Sequence, residues 1–415
     1  MRRSPITLIL LIILAFVALG GVIRISYQIA SNHIGGGRFW VEWIGVRAKV
    51  EDGISPYSPA VTSRIQDRVD NLFSWAPAPA LAYTSPFSSA IVSLPFALIP
   101  NPALAHAAWL ALQFGVVLWT ILSGIRLAAW KPAWWLFTLL ILFVLLSLRN
   151  MMNLYEGSML IWVSGFVTAV LLSIRSKRYE LAGIFLALTM IQPQAVILWV
   201  VFVLLWAGSH RKWSLLVWFV STLIFLVIVS TLLVPDWLLQ YLRIIWNFAD
   251  YFAPGTPGFA FHHWWPGLGR QLGWALTAIL SLVLVIEWRL AFRRDFSWFL
   301  WTACLTIAIS VWIGIPVNPD AHMLLNLPLV FVFAVFSQRW PRVGKWVALV
   351  AVCIVLLWEW GLVWSALRDL EPARTLGLMF PVPLLLLLGL IWVRWWTIKP
   401  KRLLIDELRA SETTY

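Results

Sequence analysis

Long apolar stretches recur along the chain, each close to the length a helix needs to cross a bilayer and each ended by a short polar or basic segment. The pattern predicts spans over 6–24, 103–125, 133–148, 159–174, 214–235, 271–290, 297–314, 321–336, 345–364 and 375–396. The fold class expected is an all-α polytopic membrane protein with about 10–12 transmembrane helices. Two further apolar stretches are irregular. Residues 86–100 are short and bounded by Pro86 and Pro100, which reads as a helix dipping into the interface before the span at 103–125. Residues 181–207 are broken at Gln192-Pro193-Gln194.

Charge decides how to read that break. Arg175, Lys177 and Arg178 precede it, and Arg211 and Lys212 follow it. Basic residues collect in cytoplasmic loops. If both clusters lie inside, the stretch must enter and return as two short helices; one long span would leave Arg211 and Lys212 outside. The hairpin is the reading adopted. Irregular backbone at membrane depth survives only where protein or a polar cavity covers it, so the break marks a candidate site.

Composition supports lipid as the solvent. The 415 residues are 61% hydrophobic and only 12% charged, with mean hydropathy +0.85; soluble domains carry about 25% charged residues. The net charge of +13 reflects topology rather than a nucleic-acid partner, because the basic residues sit between apolar runs. Alternation from Arg2-Arg3 inside places twenty of the 31 basic residues inside and eleven of the 18 acids outside. Both termini are then cytoplasmic in a multi-pass protein of the cell membrane. Residues 1–398 form one transmembrane domain with long external segments at 25–102 and 236–270, and 399–415 form a basic cytoplasmic tail. The N-terminal apolar run reads as a retained signal anchor. Cys304 and Cys353 lie in apolar runs and read as buried thiols. The 30 tryptophans suit an interfacial belt, notably at Arg38–Trp43 and Trp264-Trp265.

The polar chemistry gathers outside. In the first external segment, Phe39, Trp43, Val46 and Val50 recur at helical spacing, with Glu42, Lys49 and Asp52 off that stripe. This predicts an amphipathic helix lying on the bilayer, ended by Gly53 and Ser55-Pro56-Tyr57. Further clusters are Ala82-Tyr83-Thr84-Ser85-Pro86, Asn153–Ser158 around Glu156, Phe261–Trp265 with Arg270, and Pro316–His322. A transporter more often places acids inside spans near the midplane. Here only Glu359 sits well within one. Gly-x-Gly-x-x-Gly, P-loop, His-Glu-x-x-His and Gly-x-Ser-x-Gly motifs are missing, and no soluble α/β domain fits.

The order of these elements resembles glycosyltransferase family 87, bacterial membrane proteins of the GT-C fold, over roughly residues 6–336. Arg38-Phe39 stands where the family has Asp-Phe, followed by Gly53…Pro56-Tyr57 at the family's Gly…Pro-Tyr turn. Tyr83-Thr84-Ser85-Pro86 loosely matches a Tyr-Pro-Pro segment, and Tyr155-Glu156 takes the place of Gly-Gln. Ala182-Gly183…Ile191-Gln192-Pro193-Gln194 corresponds to a small-residue helix leading to Lys-Pro. Pro235-Asp236-Trp237 and Pro316…His322 match two later loops.

The resemblance implies metal-independent, inverting transfer of a hexose, mannose or a related sugar, with no cofactor. The donor implied is a polyprenyl-phosphate sugar as co-substrate, and the acceptor a glycolipid or glycan on the outer face. The partners are membrane lipid, this donor and this acceptor, with no nucleic acid. Inversion needs a carboxylate to take the acceptor's proton, and the leaving phosphate needs cationic or N–H donors. With the family's Asp replaced by Arg38, Glu42 is the first candidate base, then Asp52 and Glu156. Candidate donor contacts are Arg38, Tyr57, Tyr83, Gln192, Arg270 and His322. The altered motif positions keep a non-catalytic lipid- or glycan-binding paralogue as the alternative, with a transporter or flippase behind it.

Overall fold

The computed structural model describes residues 20–31, 35–72, 81–247, 261–262, 264–292, 294–313, 319–340, 342–366 and 381–398. The first predicted span lies mostly outside these residues. So do the 399–415 tail and Pro316-Val317-Asn318. The described residues are mostly helical, with no strand among them. Among the described residues, six helices are long and apolar enough to cross a membrane: Pro102–Leu127 (α5), Trp213–Leu233 (α11), Gly269–Ala291 (α13), Phe296–Ile313 (α14), the Ala321–Arg339 run that includes Asn326–Arg339 (α15), and the first part of Gly344–Ala366 (α16). The protein is an all-α polytopic membrane protein. The predicted 133–148 span is a bent pair, Trp134–Leu146 (α6) and Leu148–Glu156 (α7), meeting at 53°. The backbone of Ser147 leaves the helical region there (φ −59, ψ 124). Leu160–Arg175 (α8) and Pro381–Ile398 (α17) carry shorter apolar runs at the places predicted.

The chain packs as two compact units. The first comprises residues up to 119, 151–165 and 223–248. It contains a helix at 20–31 (α1), Gly37–Asp52 (α2), Pro59–Leu72 (α3), Ala90–Ala97 (α4) and Trp237–Asn247 (α12). A core of Val46, Tyr57, Val61, Ile65, Val69, Tyr83, Phe87, Trp237 and Tyr241 joins α2, α3, α4 and α12. The outer half of α12 is bare: Leu238, Leu239, Leu242 and Trp246 are exposed. In lipid such a face is covered by acyl chains. Beside this core, Trp109 donates to the Gly157 carbonyl at 3.1 Å and Gln113 to the Ser158 carbonyl at 2.8 Å.

The second unit comprises 120–150, 166–222 and 249 onward. Its centre is α14, in which nearly every side chain from Trp298 to Trp312 is buried. Phe299 stacks on Phe202, with ring centres 5.5 Å apart. Trp288 donates to Thr306 at 2.9 Å, and Trp301 to the Leu390 carbonyl at 2.9 Å. An indole or hydroxyl away from water must find a partner, and these tryptophans tie neighbouring helices through theirs. Cys304 is buried as expected; Cys353 is exposed, because its position on α16 faces outward.

The broken stretch is two helices, Tyr179–Thr189 (α9) and Pro193–Ser209 (α10). At 1.5 Å per residue a straight run from 179 to 209 would part its ends by about 45 Å. Instead, Lys212 lies 4.8 Å from the Tyr179 ring, and Ser214 donates to Glu180 at 2.7 Å. The stretch therefore returns to the end it entered from. Gly183 makes this fit: a Cβ there would come within 2.8 Å of the Phe219 amide. Pro193 starts the second helix at a position that needs no N–H donor.

The same end of this unit gathers the other basic turns. Arg175 donates to the carbonyls of Arg126 and Leu127, the latter at 2.8 Å. His210 Nε2 sits 3.2 Å from the Arg294 carbonyl, and Gln338 donates to Ala128 and Ala129 at 3.2 and 3.3 Å. The described basic segments near 126–129, 175–179, 210–212, 294 and 339 thus lie together in three dimensions.

Candidate active site

The first unit's site begins with glycines. Gly36 has φ 83 and its amide donates to the Tyr155 carbonyl at 2.7 Å. A Cβ on Gly36 would lie 2.7 Å from the His106 ring, and one on Gly157 (φ 71) 2.7 Å from Phe39 Cβ. Only residues without a Cβ let the start of α2 meet the end of α7 this closely. That approach brings Arg38 to Glu156, whose carboxylate accepts from Nε at 2.9 Å. Both side chains remain about a third exposed, at 32% and 40%. Water screens the pair, and its worth in stability is small.

One turn further along α2 lies Glu42, and here the expectation of a surface-lying helix fails. Phe39, Trp40, Val41, Glu42 and Val46 are buried, while Val50 is 49% exposed. The helix is packed into the unit, with Glu42 on a buried face rather than a solvated one. Gly45 causes much of this, because a Cβ there would sit 2.5 Å from the Tyr83 ring. Tyr83 therefore presses directly on the α2 backbone beside Glu42.

Glu42 is 4% exposed and stands among hydroxyls. Ser85 donates to its Oε1, and Ser89 to Oε2 at 3.2 Å. The Tyr83 hydroxyl lies 3.0 Å from Ser89 Oγ, and the Tyr57 hydroxyl donates to the Ser85 carbonyl at 2.8 Å. The two tyrosine rings meet edge to face at 5.2 Å. Burial disfavours the carboxylate and raises the Glu42 pKa to about 7, although bonds from Ser85, Ser89 and Tyr83 pull the other way. Burial likewise pushes the Tyr57, Tyr83 and Tyr241 phenols up, with the Glu42 charge adding to the first two. The phenols stay protonated, and the Tyr57 hydroxyl acts as a hydrogen-bond donor. The carboxyl is the group here that changes charge near neutrality.

Glu42, Tyr57 and Tyr83 therefore come together, with Ser85 and Ser89 added. The serines carry a readable signal: hydroxyl residues at 84, 85, 88 and 89 interrupt an otherwise apolar stretch. Asp52 is elsewhere, at the far end of α2 in an exposed pair with Arg64 at 2.5 Å.

The remaining candidates belong to the second unit. Gln192 caps the break before α10, where Gln194 donates to it at 2.5 Å. Arg270 is exposed in the first turn of α13. His322 is 3% exposed, and its Nδ1 has no hydrogen-bond partner among the described residues. Sequence reasoning missed Arg149, which pairs at 2.5 Å with the buried Glu359. Glu359 also accepts from the Leu148 amide at 2.8 Å, one of the orphan donors at the start of α7. Asn150 and Asn326 bond reciprocally at 2.9 and 3.3 Å beside it. An intramembrane acid thus acts as the cap and counter-ion of the bent span.

The model of glycosyltransferase family 87 matches residues 83–317. That is more than half of the chain. The chain belongs to glycosyltransferase family 87. By family it is a membrane glycosyltransferase. The matched stretch starts at Tyr83 and contains Glu156, Gln192 and Arg270; Arg38, Glu42, Asp52, Tyr57 and His322 lie outside it. No curated protein matches the chain.

Proposed function

We propose that this family 87 protein transfers a hexose, mannose or a close relative, from a polyprenyl-phosphate donor to a glycolipid or glycan acceptor, with inversion. The observation that carries the reading is Glu42: a buried carboxyl with a pKa of about 7, held among serine and tyrosine hydroxyls. A general base works best when its pKa lies near the working pH. In the resting site the Ser85 hydroxyl donates to Glu42. An acceptor hydroxyl that displaces Ser85 makes the same bond. Glu42 then takes the acceptor proton as the acceptor oxygen bonds to the anomeric carbon. The bond from that carbon to the phosphate oxygen breaks, and polyprenyl phosphate leaves with the electron pair. Arg38, about a third exposed and held by Glu156, supplies a guanidinium for the phosphate. Tyr57 and Tyr83 hold the hydroxyl array in place.

The reaction belongs at the outer face of the cell membrane, with both termini cytoplasmic. The gathering of basic turns at one end of the second unit is what the charge rule expects of a cytoplasmic end; the outer placement of residues 25–102 rests on the charge pattern of the sequence.

The test is transfer of labelled sugar from polyprenyl-phosphate mannose in membranes carrying each variant. Glu42→Gln is expected to abolish transfer, and Arg38→Ala to raise the KM for donor. Full activity of Glu42→Gln would refute the role of Glu42. A second reading, a non-catalytic lipid- or glycan-binding paralogue, is favoured by the low exposure and satisfied hydrogen bonds of Glu42. On that reading, cells with Glu42→Gln keep an unchanged glycolipid profile while cells lacking the protein do not.

A further inference from the structure

In the second unit, α6 and α16 run side by side in the same direction. Trp135 and Trp346, near their starts, have ring centres 6.2 Å apart, and Trp360 donates to the Leu146 carbonyl at the other end at 3.0 Å. Between them lies an outward-facing groove of about 470 Å³. Its walls change character along its length. Trp134, Trp135, Trp346 and Lys345 stand at the starts of the two helices, and Leu142 and Leu349 lie one or two turns deeper. Trp134 is 81% exposed, and Trp346 and Leu142 are also exposed. Lys345 is the only charged residue in the lining.

We infer that this groove binds one acyl chain of an anionic glycerophospholipid, with Lys345 on the phosphate. Charge complementarity selects the ligand. Lys131, Arg339 and Arg342 lie in the turns that lead into the two helices, and no acid occurs in 126–135 or 339–345. Each lysine or arginine near an anionic surface adds about 1 kcal/mol of attraction. The depth profile fits as well. Tryptophan prefers the headgroup boundary, where its ring is apolar and its N–H is wet, and leucine prefers the hydrocarbon. A ligand matching this order has a negative head, a polar neck and a hydrocarbon tail. The groove lies within the common range of small-molecule sites, about 300–1,000 Å³. The residues concerned take no part in the transfer proposed above, so the two readings stand or fall separately.

Native mass spectrometry of the full-length protein in detergent tests this, with phosphatidylglycerol and phosphatidylcholine of matched chains as probes. The wild type should retain one phosphatidylglycerol with at least fivefold preference over phosphatidylcholine. Lys345→Gln should cut that preference about fivefold, because a lost charge contact is worth about a fivefold change. Leu142→Trp, which fills the groove and keeps the charge, should weaken both lipids. Thermal unfolding controls for folding: phosphatidylglycerol should raise the wild-type midpoint more than that of Lys345→Gln. Equal retention of both lipids by the wild type overturns the inference. So does an unchanged lipid preference in Lys345→Gln, or a dimer that Leu142→Trp disrupts.

Discussion

Replacing Glu42 by glutamine separates function from stability. The carboxyl moves from an ordinary 4.5 to about 7 on burial. Holding it ionised in the folded protein therefore costs about 3 kcal/mol, at 1.36 kcal/mol per tenfold in acidity. The sign follows from proton counting. Between 4.5 and about 7 the folded protein holds a proton that the unfolded chain has released. Stability is full below the lower value and falls as pH rises towards the upper one. Glutamine has nearly the same shape, accepts from Ser85 as the carboxyl does, and never ionises. At pH 5 the variant and wild type should unfold at similar temperatures. At pH 8 the variant should be the more stable by up to about 3 kcal/mol, roughly 3 °C in a chain of this size. Transfer should be lost at every pH, while wild-type transfer rises through pH 7. The assay is thermal unfolding in detergent at several pH values, with transfer measured on the same samples. Parallel pH curves for the two proteins would show that Glu42 does not titrate as argued, and retained transfer would show that it is not the base.

Other perturbations follow from the same geometry. Ser85→Ala removes a donor to the Glu42 carboxylate; the pKa should rise further and the pH–rate profile should move to higher pH, read directly from initial rates. Gly45→Ala sets a methyl 2.5 Å from the Tyr83 ring; it should cost about 1–3 kcal/mol, seen as a lower unfolding midpoint. Glu359→Ala strands the Arg149 guanidinium in a buried setting and should cost about 3–5 kcal/mol, while the paired change Arg149→Met with Glu359→Leu should recover most of it. A double-mutant cycle of unfolding midpoints distinguishes this from simple cavity formation.

The sequence by itself determined the membrane class and the long apolar helices among the described residues, though not α3 or α12, because lipid imposes a length and an apolar content that any reader can count. It also determined the α9–α10 return. A proline break between two basic clusters admits a hairpin, and the Tyr179–Lys212 contact places both clusters at one end. The Tyr83–Pro86 motif pointed to residues that do line the Glu42 pocket. Periodicity misled at α2. Its stripe of Phe39, Trp43, Val46 and Val50 treats a helix as having one buried face. Here Gly45, α3, α4 and the Tyr83 segment bury a second face, and Glu42 lies on it. A glutamate reads as solvated in any one-dimensional pattern. Only the tertiary structure supplies the two serines and two tyrosines that let it stay dry. The same holds for Arg149. Its partner Glu359 lies 210 positions along the chain. An ion pair between distant helices leaves no trace in local spacing, since Coulomb attraction depends on separation in space rather than in sequence.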